Sequence, residues 1–212
     1  GKAGRAGGSM KLRELNSVPI GKEVLRAEVQ ERLTALETEA REEAGRRLCA
    51  RIREHCVWRN AGRILLFWPI RDEINLWPLV QEGIDLGKEI ALPRFVAGTG
   101  VYEVARIEGC SEGLTKGRYG IVEPVASAVV VDVKQLDLVL VPGVAFDTSG
   151  VRLGRGGGYY DRLLHGAVGV KCGVAFEEQM VSGIPEETHD VRMDCIATPE
   201  RWIACGHDPA LK

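Results

Sequence analysis

The chain has 212 residues, 28 basic and 30 acidic side chains and a formal net charge of −2, a length that suits one ordinary domain with a sizeable core. With 45% apolar and 27% charged residues, the composition is that of a soluble globular protein and excludes a disordered chain, a collagen-like repeat and a polytopic membrane protein. The balanced charge gives no global attraction to nucleic acid or to an anionic membrane surface, so any anion site must be local.

Residues 1–9 (GKAGRAGGS) read as a tag remnant or disordered leader, with Met10 as the native start and 10–212 as a single domain. The sequence shows no signal-peptide pattern, and no apolar run nears the roughly 20 residues that span a bilayer, so a cytoplasmic location is expected. Over 22–53, Leu25, Val29, Leu33, Leu36 and their successors recur at helical spacing, which predicts two helices or one bent helix, with Thr34 and Thr38 as candidate caps of a restart. Residues 63–68 form a short run, apolar from Ile64 and closed by Pro69, the pattern of a strand buried on both faces. Asn75 can cap a helix over 76–86 that Gly87 closes, and 88–92 then reads as a second buried strand. A Gly98-Thr99-Gly100 turn leads into a strand over 101–107, as in a hairpin. Residues 136–141 are a third buried strand ended by Pro142-Gly143. A glycine-rich loop follows, then a helix over 159–164 and a strand over 168–176. Strands alternating with helices at this spacing predict an α/β fold: a single three-layer domain with a mainly parallel central sheet flanked by helices.

The six cysteines (49, 56, 110, 172, 195 and 205) contain no Cys-x-x-Cys pair and are expected to be reduced core thiols. His55, His165, His189 and His207 lack metal-ligand spacing, which argues against a zinc hydrolase. The four tryptophans come with no basic stripe and read as core or groove packing.

In a sheet of this kind ligands bind beyond the carboxyl ends of the strands. The third strand leads into residues 142–161, which hold Gly150, Gly154, Gly156, Gly157 and Gly158. Such glycines let successive N–H groups turn inward around an anion, and the following helix presents its positive end. Arg152 and Arg155 supply planar, permanently charged donors for phosphate oxygens. Asp161, in the first helical turn, can hold magnesium against a bound polyphosphate. The stretch has no Gly-x4-Gly-Lys-Ser/Thr, and it misses Gly-x-Gly-x-x-Gly because residue 159 is Tyr. A surface loop with turn glycines and a capping aspartate is the plain alternative.

The string Gly150-x-Arg152-Leu153-Gly154-x-Gly156-x-Gly158-Tyr159-Tyr160-Asp161, preceded by residues 141–147 (VPGVAFD), strongly resembles the 5-formyltetrahydrofolate cyclo-ligase family. The resemblance extends through Lys22-x-x-x-Arg26, Asp72-Glu73-Ile74, Leu92-Pro93-Arg94, Tyr119-Gly120-Ile121-x-Glu123-Pro124, and His189-Asp190 followed by Asp194. It implies an ATP- and Mg2+-dependent ligase that converts 5-formyltetrahydrofolate, polyglutamylated or not, to 5,10-methenyltetrahydrofolate with release of ADP and phosphate. In that family the formyl oxygen is phosphorylated and N10 closes the ring.

By the same resemblance the nucleotide would be bound by Lys22, Arg26, Arg152, Leu153, Gly154, Arg155, Gly156, Gly157, Gly158, Tyr159 and Tyr160. The folate would be bound by Arg26, Ile70, Glu73, Asn75, Arg155, Gly156, Gly157, Gly158 and Tyr159, with Asn75 equally suited to capping a helix. Arg152, Arg155 and Tyr159 would be catalytic, and Asp161 and Asp190 would ligate magnesium. No nucleic-acid or membrane partner is expected, and the protein is expected to be a monomer. The rival readings are a phosphate-binding α/β enzyme such as a sugar-phosphate isomerase, and a non-catalytic relative.

Overall fold

The computed structural model describes residues 21–206; the expectations for residues 1–9, Met10 and His207 lie outside them. In chain order come helices α1 (Lys22–Thr34), α2 (Thr38–Glu54) and α3 (Cys56–Asn60), strand β1 (Arg63–Leu65) and helix α4 (Trp77–Asp85). Next are strands β2 (Glu89–Val96), β3 (Val101–Ile107), β4 (Leu114–Lys116), β5 (Val122–Pro124), β6 (Val130–Val131) and β7 (Leu138–Val141). Strands β8 (Ala145–Asp147) and β9 (Arg152–Leu153), helix α5 (Tyr159–Leu164), and strands β10 (Val170–Val174), β11 (Met180–Val181), β12 (Cys195–Ala197) and β13 (Trp202–Ala204) complete the described chain.

The main sheet has the order β13-β12-β10-β7-β1-β2-β3-β6. From β12 to β2 neighbouring strands are parallel, while β13, β3 and β6 join antiparallel at the two edges. The near-continuous apolar runs of β1 and β7 follow from their central place, since both faces are covered. Ile64, Leu66, Leu138 and Leu140 point into the core that α1 to α4 close. The alternate residues Leu65, Val139 and Val141 enter a second core with Leu163 and Leu164 of α5. This is the expected three-layer α/β domain. Each such fully buried aliphatic side chain contributes roughly 1.5–3 kcal/mol relative to exposure.

Several local expectations are corrected. The break between α1 and α2 is real, but neither threonine caps it: Thr34 Oγ1 donates back to Gln30 O at 2.8 Å, and Glu37 precedes α2 without a side-chain cap. Arg41 closes the corner instead, donating to Leu33 O and to Leu36 O, and so satisfies carbonyls that the end of α1 leaves open. Strand β1 is three residues long; Leu66 N still donates to Ala91 O at 3.0 Å, after which Phe67 and Trp68 turn away from the sheet. The "loop" before α5 is part hairpin: β8 pairs antiparallel with β9 and parallel with β11. The edge strands β6 and β13, and β12 beside the latter, have two or three residues, too few to leave a periodic signal.

All six cysteines carry free thiols, with Cys49, Cys172 and Cys195 buried. Trp58 lies in the core, Trp68 meets Trp77 edge-on at 4.4 Å, and Trp202 stacks on His55 at 3.7 Å.

The topology places the site. From β1 the chain crosses to β2 on one side, and from β7 to β10 on the other, so the direction of winding reverses between β1 and β7. In sheets of this kind the crevice outside the carboxyl ends at that reversal is the binding position.

Candidate active site

A cleft of about 550 Å³ opens there. Phe67, Trp68, Ile70 and Glu73 reach it from the segment after β1, and Pro142 and Gly143 from the end of β7. All of residues 152–161 line it, with Lys22, Glu23 and Arg26 of α1 facing them. The β2–β3 hairpin contributes Pro93 and Tyr102, the β5 region Ile121 to Glu123, and a late loop Glu187, His189 and Asp190. Every expected site residue except Asn75 is among these. Asn75 Oδ1 instead accepts from Trp77 N at 2.9 Å, so its side chain is committed to the start of α4.

The glycine loop is held by geometry that only glycine tolerates at two positions. Gly156 and Gly158 have φ of 98° and 63°, a region L-residues with a Cβ avoid. A Cβ on Gly157 would fall 2.6 Å from the Tyr159 ring. Arg26 fastens the loop from α1, its Nε donating to Gly154 O at 3.0 Å. Helix α5 has only six residues, so an anion here relies on the loop N–H groups and nearby cations more than on a helix dipole.

The two loop arginines differ sharply. Arg152 is 6% exposed. It donates from Nη2 to Asp161 Oδ1 at 2.9 Å and from Nη1 to Pro142 O at 3.3 Å, and its guanidinium lies 5.8 Å from the Tyr160 ring centre. Its Nε has no hydrogen-bond partner among the described residues. Arg155 keeps a side chain 49% exposed, with Nη2 3.8 Å from Glu73 Oε1. Two of the donors that the sequence assigned to phosphate at Arg152 are thus engaged within the protein, and Arg155 is the arginine with freedom to reach a ligand.

Lys22 Nζ sits 2.9 Å from both Glu187 Oε2 and Asp190 Oδ2. Burial pulls the Lys22 ammonium down, but its hydrogen bonds to Asp190 and Glu187 outweigh this and leave its pKa above the ordinary 10.5. For Asp190, burial pushes upward, and the Lys22 hydrogen bond and the Glu187 amide overcome it, holding the carboxyl below the usual 3.8. Ligand atoms of Glu187, His189 and Asp190 lie within 4.8 Å of one another; Asp161 is outside this group and is paired with Arg152.

Glu73 is nearly enclosed. Burial raises its pKa above the ordinary 4.5, partly opposed by the Ile70 amide donating to Oε2 at 3.2 Å and by Arg155. Burial, with Glu73 as the next contribution, also keeps the Tyr160 phenol neutral well past its usual range. The folded state therefore holds the Glu73 proton more tightly than the unfolded state, and stability is lost as pH rises from 4.5 through the raised value. Glu73→Gln removes that loss. It is expected to raise the Tm at pH 7 by about 1–4 °C, and paired melting curves should show the advantage fading as pH falls toward 4.5.

Sequence reasoning missed an aromatic wall and a second carboxylate. Phe95, Tyr102 and Tyr159 meet edge-on with centroids 5.5–5.9 Å apart. Only the hairpin register, Phe95 opposite Tyr102, brings the first two together. Glu123 lines the cleft while its Oε2 accepts from Phe95 N at 3.1 Å, and a Cβ on Gly117 would overlap its carboxylate. The Gly-x-x-Gly-Ile-x-Glu-Pro order of 117–124 was the available signal.

Comparison with known proteins agrees with this geometry. The family described as 5-formyltetrahydrofolate cyclo-ligase matches residues 19–199. The mouse 5-formyltetrahydrofolate cyclo-ligase is 32% identical, over 84% of this chain and 93% of its own. The Escherichia coli K12 protein of the same name is 31% identical, over 82% of this chain and 97% of its own. Among solved structures, the Aquifex aeolicus 5,10-methenyltetrahydrofolate synthetase superposes with a TM-score of 0.80 at 31% identity, covering 90% of this chain and 96% of that one. The match extends through the glycine loop, the segment after β1 and the late loop with Asp190, so the chain belongs to the 5-formyltetrahydrofolate cyclo-ligase family.

Proposed function

We propose that this chain performs ATP- and Mg2+-dependent cyclisation of 5-formyltetrahydrofolate to 5,10-methenyltetrahydrofolate. One observation carries the reading: a single cleft at the sheet's winding reversal gathers an Arg/Gly loop, two α1 cations and a buried carboxylate. Phosphoryl transfer to a bound acceptor needs positioning and charge neutralisation rather than a protein nucleophile, and these groups supply both.

The residues present fit the groups they would hold. Arg152 Nε is a buried donor without a partner among the described residues, and the loop turns through Gly156 and Gly158 with no side chain in the way, both suited to an anionic ligand. Asp161 and Asp190 offer the hard oxygen donors that magnesium takes. When bound there, Mg2+ would neutralise charge on the β- and γ-phosphoryl oxygens.

The formyl oxygen attacks the γ-phosphorus as ADP leaves. N10 then bonds to the formyl carbon and loses its proton, and the carbon–oxygen bond breaks to release phosphate. Lys22, Arg26 and Arg155, with the loop N–H groups, hold the phosphates in line and stabilise charge on the transferred group. Glu73 receives the pterin's N–H donors, as an enclosed carboxylate accepts two. Tyr159 and residues 156–158, assigned to both substrates and lining the cleft, would keep the formyl oxygen against the phosphorus.

The test is direct. Purified protein with 5-formyltetrahydrofolate and MgATP should generate the near-ultraviolet absorbance of the methenyl product, and omission of ATP or chelation of Mg2+ should abolish it. Phosphate release on another acceptor with no methenyl product would reject the assignment.

A further inference from the structure

The geometry points to Asp147 as a positioning residue that fixes the two halves of the nucleotide site to each other, an inference that rests on the function proposed above. Asp147 ends β8, is 5% exposed and does not line the cleft. Its Oδ1 accepts from Ser149 N at 2.9 Å, Ser149 Oγ at 2.6 Å and Val151 N at 3.2 Å. Its Oδ2 accepts from Ile184 N at 3.1 Å. A carboxylate is the one side chain with acceptors alone on both oxygens, and here the two oxygens serve different segments.

The first segment is the turn that launches the glycine loop. Asp147 N donates to Val151 O at 3.1 Å and Gly150 N to Asp147 O at 3.0 Å, so Arg152 follows directly from a turn that Oδ1 closes. The second is residues 182–193, which contain Asp190. This segment leaves β11 in register with β8, Val181 opposite Asp147. It is tied at its start by Ile184 to Oδ2, and at its end by Met193 N donating to Gly150 O at 2.8 Å. Gly150 has φ of 90°, and a Cβ there would overlap Met193 O, so the junction admits no larger residue. Asp147 thus bonds both the turn that leads to Arg152 and the segment that carries Asp190, alongside the β8–β11 pairing and the Met193–Gly150 hydrogen bond, without itself lining the cleft.

Asp147→Asn tests the assignment, because the amide nitrogen must face an N–H donor on one side. Three donors meet Oδ1, so the remaining oxygen stays with the turn and the NH2 opposes Ile184 N, leaving buried donors unmet. The variant is expected to raise the ATP KM and the half-saturating Mg2+ concentration each by about tenfold, with the 5-formyltetrahydrofolate KM within about twofold of wild type. Ser149→Ala, which removes one donor from Oδ1 and leaves Ile184 bonded, should leave all three within about twofold. Hydrogen exchange gives an activity-independent readout: amides of 182–193 should lose protection in Asp147→Asn while β7 and β10 retain theirs.

Unchanged ATP and Mg2+ dependence, or equal shifts for both substrates, would overturn the positioning role. A wild-type protein that forms no methenyl product would instead reject the function, and the exchange result would still decide whether Asp147 couples the segments. If Asp147→Asn does not fold, wild-type exchange with Mg2+ and a non-hydrolysable ATP analogue serves: residues 147–151 and 182–193 should gain protection together, and protection of one without the other contradicts the proposal.

Discussion

Arg152→Ala is expected to reduce kcat/KM by about a thousandfold and to cost about 3 kcal/mol of stability. Both effects follow from burial. Removing the guanidinium leaves the Asp161 carboxylate without its cation and Pro142 O without a donor, and breaking a buried pair from one side strands the other charge. For a chain of this length such a loss lowers the Tm by about 6–12 °C. Arg152→Lys keeps the charge but not the fork that reaches Asp161 and Pro142 together, so it should recover part of the stability and little of the activity. Thermal melts and steady-state kinetics on the same preparations check both; turnover near wild type in Arg152→Ala would remove this residue from the site.

Lys22→Met should behave differently although it also removes one cation from an ion pair. Lys22 keeps a side chain 21% exposed, its ammonium between the largely covered Asp190 and the open Glu187, 57% exposed, and solvent on the Glu187 side screens the group, which holds its contribution to about 1 kcal/mol. The Tm should therefore move by less than about 4 °C. The ATP KM should rise by about 10- to 100-fold, the worth of one or two charge-assisted hydrogen bonds to phosphate. Titrating each substrate at saturation of the other separates the outcomes: an equal rise in the folate KM would show that Lys22 does not serve the nucleotide.

The parts of the fold that could be read in the sequence were those where one local pattern has one tertiary meaning. The apolar runs that begin at Ile64 and Leu138 had to supply central strands, because continuous apolar stretches closed by proline or Pro-Gly need cover on both faces, although the first leaves the sheet after Leu66. The site loop was legible for a related reason: five glycines interleaved with two arginines ahead of an aspartate are costly in entropy unless the backbone must bend around a ligand. Roles set by tertiary contact were not legible. Arg152 and Arg155 look alike three residues apart, yet β9 draws the first into the protein while the second stays at the surface. Asn75 carried two local meanings, ligand and cap, and its Oδ1 accepts from the nearby Trp77 amide. Tyr102 and Glu123 joined the cleft through hairpin pairing, and Asp147 acquired its second partner 37 positions away, a separation no local pattern encodes.

The most direct test of the account follows the formyl oxygen. 5-Formyltetrahydrofolate labelled with 18O in its formyl group, incubated with the purified chain and MgATP, should give the methenyl product with the label recovered in inorganic phosphate, one labelled phosphate per ring closed. Absence of the methenyl product, or its formation with the label in water, would contradict phosphoryl activation in this cleft.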